Sequence, residues 1–445
     1  MLSVALPVSL GVFVQFIVVF IDNLFVAKLD GNAMSAAAFV GLIYVTLVMI
    51  GVGLGNATQI LVARRKGEER IESASRVVGN SFWIAILVAA VQFVLLKFCL
   101  PIIIDSSIDH PQLAEYMNRF IDFRAYGFFF YTPLLILNSF WAGIAKTRVM
   151  IVTTLITAGV TIVLDYGLVF GNLGLPDMGM AGAALATSIA EACAFLFLII
   201  YTITKCDSGP SSYVRSNEEK FRIGHHILTL PKTETKSLVT LGGPIALQML
   251  CSLGIWVIFY EFVESMGEAE LQSSFIVRNM YMLAYVSVGG FSTTIKTYVS
   301  GLIAEKRQSE LYPTMRKLIW MNFCGVALLS HGLWLYPEWI ASMFTTDPLV
   351  IQQTVDTMHI VLPAMFTFSV TSMLLGTVEG SGNTLAGFII EICTVLLYIA
   401  AAWVMVYKWH WPIHLVWTAD YVYFIFLGIF SLLYLWDGRW KWKQI

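Results

Sequence analysis

FIVVFIDNLFVAK, residues 16–28, sets one carboxylate, Asp22, inside an apolar run that begins near Val4 and ends at Lys28. At about 1.5 Å per residue, its roughly 24 residues reach on the order of 36 Å. A lipid hydrocarbon core is about 30 Å thick, so the run can cross it. An ionisable group in that setting is costly and is a functional candidate by default. The plainer reading is an interfacial Asp22 paired with Lys28.

The rest of the chain has the same character. Of 445 residues, 58% are apolar and 13% are charged, and the mean hydropathy is +0.76. A soluble domain carries about a quarter charged residues. Long uncharged stretches recur from end to end, which predicts an all-α, polytopic integral membrane protein. The net charge of −2 points to no partner, and no nucleic-acid partner is expected. The six cysteines show neither a metal spacing nor a disulfide framework. The opening MLSVALPVSL lacks the charged n-region and the A-x-A site of a cleaved signal peptide, so the first segment is expected to be a retained helix.

Apolar runs bounded by charges, Gly or Pro predict twelve spans: 4–27, 36–60, 77–100, 119–141, 149–171, 179–204, 237–263, 272–299, 318–340, 357–379, 384–407 and 413–436. The basic residues gather in alternate loops, ARRKGEER, AKTR, 205–236, AEKRQSELYPTMRK and the tail DGRWKWKQI. Those loops are therefore expected in the cytosol, with both termini. Lys28, Arg119 and Arg124 are the exceptions and are expected to snorkel from outer helix ends. Trp409, Trp411, Trp417, Trp436, Trp440 and Trp442 read as interfacial belts. The polar stretch 205–236 divides the chain into a lobe over 1–204, a cytosolic linker, and a lobe over 237–445. A repeat supports two six-helix halves: LPVSLGVFVQF, LDG and GVGLGNATQILVARRKGEE answer GPIALQMLCSL, MGE and GGFSTTIKTYVSGLIAEKRQ. An even number of spans per half makes this a parallel repeat.

Depth brings polar groups together. Asp22 lies about six residues, roughly 9 Å, below the outer end of span one. Asp165 in TIVLDYGLVFGN and Thr187 in GMAGAALATSIAE lie at a similar depth on spans five and six. Thr161 precedes Asp165 by one helical turn and shares its face. Gln15 lies two turns before Asp22, also on one face. Two carboxylates held close in a low dielectric do not both stay ionised easily, and a proton or a Na⁺ relieves their repulsion. Pro7 lacks a backbone N–H and weakens span one about four turns below Asp22. Moving one charge through about 100 mV supplies roughly 2.3 kcal/mol, about a fiftyfold gradient. The plainer reading of Asp165 is a helix-end residue in water.

Other intramembrane groups have structural readings. Glu191 and Glu391 sit mid-span, where each could line a cavity or bond a neighbouring helix. Glu261, Glu264 and Asp420 are expected to be solvated near the outer side, and Glu379 in a cytosolic turn. Tyr126, Met249 and Tyr281 are candidates to line a substrate pocket. No Walker A loop, HExxH, GxSxG or dinucleotide fingerprint is present, which argues against an ATP-driven pump or a hydrolase.

LPVSL…FIDNLFVAKLDG, GVGLGNATQILVARRKGE, NSFWAGIAKTR…TIVLDYGLVFGN, GMAGAALAT and GTVEGSGNT, in this order, resemble the multidrug and toxic compound extrusion (MATE) transporters across nearly the whole chain. The resemblance implies a V-shaped molecule of two six-helix lobes that exports amphipathic or cationic compounds in exchange for H⁺ or Na⁺. It places the family's first-helix Asp on Asp22, its fifth-helix Asp on Asp165, the bending Pro on Pro7, the nearby Gln on Gln15 and the sixth-helix Thr on Thr187. Thr161 stands where the family often has Asn, which leaves the ion open. Ser252 stands where some members carry a seventh-helix Glu, so a second-lobe cation site of that type is not expected. Glu379 and Asn383 replace the usual Arg and Asp of the tenth-to-eleventh turn.

The expectation is thus a non-enzymatic, ion-coupled multidrug antiporter of the plasma (inner) membrane. It would be a monomer in the bilayer, with a small organic substrate, no resident cofactor, and Na⁺ at Asp22 and Asp165 if Na⁺ is the ion. The alternative is a flippase for a lipid-linked precursor. That reading calls for several cavity cations, and the spans hold few, chiefly Arg278 and Lys296.

Overall fold

A computed structural model describes residues 1–27, 31–107, 110–207, 221–229 and 234–445. Every regular element among them is helical. The long helices are α1 (Leu2–Ala27), α2 (Gly31–Gly67), α3 (Ile71–Ser106), α4 (Pro111–Gly143), α5 (Arg148–Leu168), α6 (Met180–Cys206), α7 (Thr235–Glu264), α8 (Glu268–Ala304), α9 (Leu311–Leu335), α10 (Pro348–Gly380), α11 (Thr384–Lys408) and α12 (Ala419–Trp436). They match the predicted spans one for one. Among the described residues, eleven helices are long and apolar enough to cross a membrane. The remaining one, α8, has the length, with 37 residues, but its run is broken by Arg278, Asn279 and Lys296.

Local chemistry marks the helix ends. Pro111 and Pro348 stand at first helical positions, where a missing N–H costs nothing and φ is already set. Asp347 caps α10 by accepting a hydrogen bond from the Leu349 backbone N–H at 2.9 Å. Side chains such as Leu87, Ile102, Leu155, Leu328, Leu396 and Leu433 point outward and are exposed. A water-soluble protein does not display so much contiguous apolar surface; a multi-pass membrane protein presents it to lipid.

The chain gathers into two compact units. One is Leu10–Ala246, with a core that includes Tyr44, Leu96, Ile121 and Phe128. The other is Met1–Ser9 with Leu247–Ile445, and its core includes Phe259, Tyr281, Trp417 and Phe424. The division falls inside α1 and α7, a few residues after Pro7 and Pro244.

The same small-residue contact recurs at both places. In the first unit, a Cβ built on Gly53 of α2 would lie 2.6 Å from the Ala246 nitrogen and 2.7 Å from its Cβ. In the second, a Cβ on Gly290 of α8 would lie 2.1 Å from Ser9 Oγ and 2.6 Å from the Ala5 carbonyl oxygen. Pro7, Ser9 and Gly53 stand in the first half at the spacing of Pro244, Ala246 and Gly290 in the second. Only glycine lets the backbones come this close.

The described part of the 205–236 linker is seated on the first unit. Phe221, Ile223 and Ile227 are buried. Trp83 Nε1 donates to the Ile227 carbonyl at 2.7 Å, and His226 Nε2 lies 2.8 Å from Glu72 Oε1. Ser73 Oγ donates to Glu234 Oε1 at 3.0 Å. Linker residues 208–220 and 230–233, like Lys28, Leu29 and Asp30 of the first loop, lie outside the described residues. Two predicted belt tryptophans are instead buried. Trp417 hands its indole N–H to Ser274 Oγ at 3.1 Å, and Trp440 donates to the Leu435 carbonyl at 2.9 Å. Each ring found an internal acceptor, so it did not need the interface. Trp409, Trp436 and Trp442 are exposed.

Candidate functional site

Two contacts align α1 with α5. Gly11 lies against Thr154, where a Cβ would meet the Thr154 hydroxyl at 3.2 Å. Asp22 lies against Asp165, the two carboxyls within direct reach of each other. Both helices advance by the same number of residues between these contacts, so they run side by side in one direction. Phe25 and Phe170 continue the seam, edge to face at 5.6 Å.

The carboxyl pair lacks donors. Among the described residues, neither oxygen of Asp165 has a hydrogen-bond partner, nor does Oδ1 of Asp22. Two carboxylates offer each other only acceptors. A bond between them exists only when a proton, or a cation, stands on the line that joins them. Asp165 is fully buried, and Thr161, one turn earlier, is 1% exposed with no partner for its hydroxyl. A buried polar atom left this way is costly. Four such oxygens, from Asp22, Asp165 and Thr161, therefore gather on the α1–α5 seam. The solvated reading of Asp165 does not apply, because α5 turns it inward.

The other predicted residues fall as follows. Thr187 is half-buried on α6 and gives its hydroxyl proton to the Ala183 carbonyl at 3.0 Å. Gln15 is exposed on α1, and no described contact brings it to the carboxyl pair. Pro7 is buried within α1. Tyr126 belongs to the first unit, exposed, with its ring 5.1 Å from that of Phe93. Met249 is half-buried on α7. Tyr281 is buried in the core of the second unit, stacked on Phe368 at 6.2 Å.

Arg124 corrects the snorkelling expectation. It is buried in the first unit, bidentate to Glu191, with Nη1 2.8 Å from Oε2 and Nη2 2.7 Å from Oε1. Its guanidinium lies 3.7 Å from the centre of the Tyr44 ring. Gly127 makes the space, since a Cβ there would stand 2.5 Å from both Arg124 Nη1 and Glu191 Oε2. Arg124 also acts on the charge of Asp22. The signal that could have found the pair was there: an Arg and a Glu in separate apolar runs, each too costly unless matched. Arg124 is closed on Glu191, so it acts on Asp22 from a distance and, among the described residues, forms no ion pair with it.

Two carboxylates of the second unit also depart from expectation. Glu379 is 2% exposed rather than solvated, held by Lys296 Nζ at 2.7 Å and by Gln248 Nε2 at 3.0 Å. Asp420 is 5% exposed, drawn inward beside Tyr398 at the start of α12. Glu261 and Glu264 are exposed, as predicted. Arg278 is half-buried and lies over the rings of Trp256 and Tyr260 at 5.3 and 5.5 Å.

The chain is similar to proteins of known family. The family model described as MatE matches residues 7–167 and 244–404, two stretches that begin at Pro7 and Pro244. The "Probable multidrug resistance protein NorM" of Thermotoga maritima is 21% identical, over 100% of this chain and 93% of its own. That of Aromatoleum aromaticum is 21% identical, over 90% of this chain and 82% of its own. Among solved structures, an outward-facing multidrug resistance MATE family transporter of the MOP superfamily superposes with a TM-score of 0.87 at 18% identity, over 100% of this chain and 96% of that one. A MOP superfamily transporter from Pyrococcus furiosus Vc1, described as having a binding pocket of reverse polarity, also gives 0.87 at 18%, over 100% and 96%.

Proposed function

Since the chain belongs to the MatE family of membrane transporters, we propose that it is a secondary antiporter that exports amphipathic or cationic small organic compounds in exchange for H⁺ or Na⁺. The NorM names of its relatives support the substrate class. The observation that carries the coupling is the Asp22–Asp165 pair, two carboxyls in contact with no donor for three of their four oxygens.

The chemistry follows from that pair. With no cation, the two charges repel and press α1 away from α5. A proton on one carboxyl supplies the missing hydrogen bond. A Na⁺ would instead be held by the free oxygens of Asp22, Asp165 and Thr161, a hard-oxygen set suited to it. Either cation pulls the seam together and so favours one arrangement of α1, whose buried Pro7 removes a helix hydrogen bond farther down. A cation that binds the two arrangements unequally shifts their populations by that difference. The chain would work as a monomer in the inner membrane, termini in the cytosol, in two lobes over 1–204 and 237–445. The flippase reading gains no support from the buried cations, because Arg124 and Lys296 are engaged by Glu191 and Glu379.

The test is uptake of a fluorescent organic cation into inverted vesicles, driven in turn by a pH gradient and by a Na⁺ gradient. Uptake under one of them names the ion. Uptake under neither removes the antiporter reading.

A further inference from the structure

Glu391 is 1% exposed in the second unit, and the mechanism above does not use it. It stands on α11 two turns past the helix start. Its Oε1 accepts from Ser252 Oγ at 2.7 Å and from the Tyr423 hydroxyl. Its surroundings hold no counter-ion for it among the described residues. α7 contributes Gln248, Cys251 and Ser252; α8 contributes Tyr285; α10 contributes Glu379; α12 contributes Tyr423. The neighbouring Glu379 has its own cation, Lys296, at 2.7 Å. Glu191 in the first unit has Arg124; Glu391 has only hydroxyls.

A second observation points to what the site takes. Gln248 is 2% exposed and gives its amide N–H to Glu379, yet its Oε1 has no partner. That oxygen is aimed at α11: a Cβ on Gly387, one turn before Glu391, would lie 3.6 Å from it. Gln248 likewise stands one turn before Ser252 on α7. That orphan acceptor stands over the α11 face that carries Gly387 and, one turn on, Glu391, and a protonated carboxyl on that face is a donor.

We propose that Glu391 is a second proton-binding site, built into the second unit and independent of Asp22 and Asp165. Ser252 and Tyr423 both engage Oε1, so the proton resides on Oε2. A buried carboxylate without a cation is expensive in a membrane, and a proton is the one counter-charge that needs no further ligands. Tyr423 gives its hydroxyl hydrogen to Glu391, and Ser252 Oγ stands within reach of both Glu391 Oε1 at 2.7 Å and the Gln248 carbonyl at 3.1 Å, so the two hydroxyls orient the carboxyl.

The experiment uses the full-length chain carrying Asp22→Asn and Asp165→Asn, reconstituted in liposomes. Infrared difference spectra are recorded as the bathing solution alternates between low and high pH. A protonated-carboxyl C=O band should persist without the first-unit pair. Adding Glu391→Gln should abolish it. Adding Tyr423→Phe should move it to higher wavenumber, because the carbonyl loses one of its two hydrogen bonds. No band, a band unchanged by both substitutions, or a band abolished by Asp420→Asn instead would overturn the assignment. Transport by the unmodified chain is read separately, so failure of the antiporter reading leaves this result intact.

Discussion

Ser9 and Gly290 meet where no side chain fits, a Cβ on Gly290 falling 2.1 Å from the Ser9 hydroxyl oxygen. Ala246 and Gly53 repeat that relationship at the corresponding positions of the other half. In each case the residue two after a proline presses on a glycine of the second long helix of the opposite half. The prolines leave helix starts that can bend, and the glycines receive them. The start of α1 thereby packs with the second unit and the start of α7 with the first.

Gly53→Ala and Gly290→Ala should each lower stability by about 1–3 kcal/mol, the usual cost of overpacking a tight contact. Thermal unfolding in detergent, followed by tryptophan fluorescence, measures it. Gly159→Ala is the control, since a Cβ there meets nothing within 4 Å. Equal midpoints for all three variants would mean that the notches are slack.

Asp165→Asn and Asp22→Asn should each reduce export to the level of vesicles without the protein while expression is unchanged. An asparagine amide donates directly to the partner carboxylate, so the pair is satisfied without a cation and gradient energy has nothing to act on. Drug efflux from cells, normalised to membrane-inserted protein, gives the measure. Export at the unmodified rate by either variant removes that residue from the coupling.

The helices were legible because a bilayer demands about 20 apolar residues per span, and only α8 fell short of that demand by composition. The pairing of Asp22 with Asp165 was legible from depth, since both lie one or two turns before the end of their helix. Thr161 followed from helical periodicity. Burial and direction were not legible. Glu379 and Asp420 stand near helix ends and Arg124 near the end of its predicted span 119–141, where solvation and burial give the same pattern in one dimension. What decides is a partner far along the chain, Glu191, Lys296 or Tyr398. Gln15 shows the converse: the periodicity that put it on the face of Asp22 says nothing about how closely the neighbouring helix approaches there.

Arg124→Gln should destabilise the protein by about 3–5 kcal/mol, because it leaves Glu191 as an unpaired buried charge. Arg124→Met combined with Glu191→Met should recover most of that loss, as removing both charges also removes their desolvation cost. The readout is again the unfolding midpoint. A single variant no less stable than the double would show that the ion pair is replaceable by water. The same comparison run as transport asks whether Arg124 steadies Asp22 or only the fold.

Trp83→Phe should loosen the short linker helix Ile223–Thr229 without disturbing the spans. The indole N–H holds the Ile227 carbonyl at 2.7 Å, and one such bond is worth about 1 kcal/mol, near a fivefold change in an opening equilibrium. Residues 223–229 should therefore exchange their amide hydrogens about fivefold faster, with α5 and α6 unchanged. Gly79→Ala acts on the same contact by crowding, since a Cβ would stand 2.7 Å from the His226 carbonyl oxygen, and it should accelerate exchange further. Unchanged exchange in both variants would mean that the buried Phe221 and Ile223 hold the helix without help from these contacts.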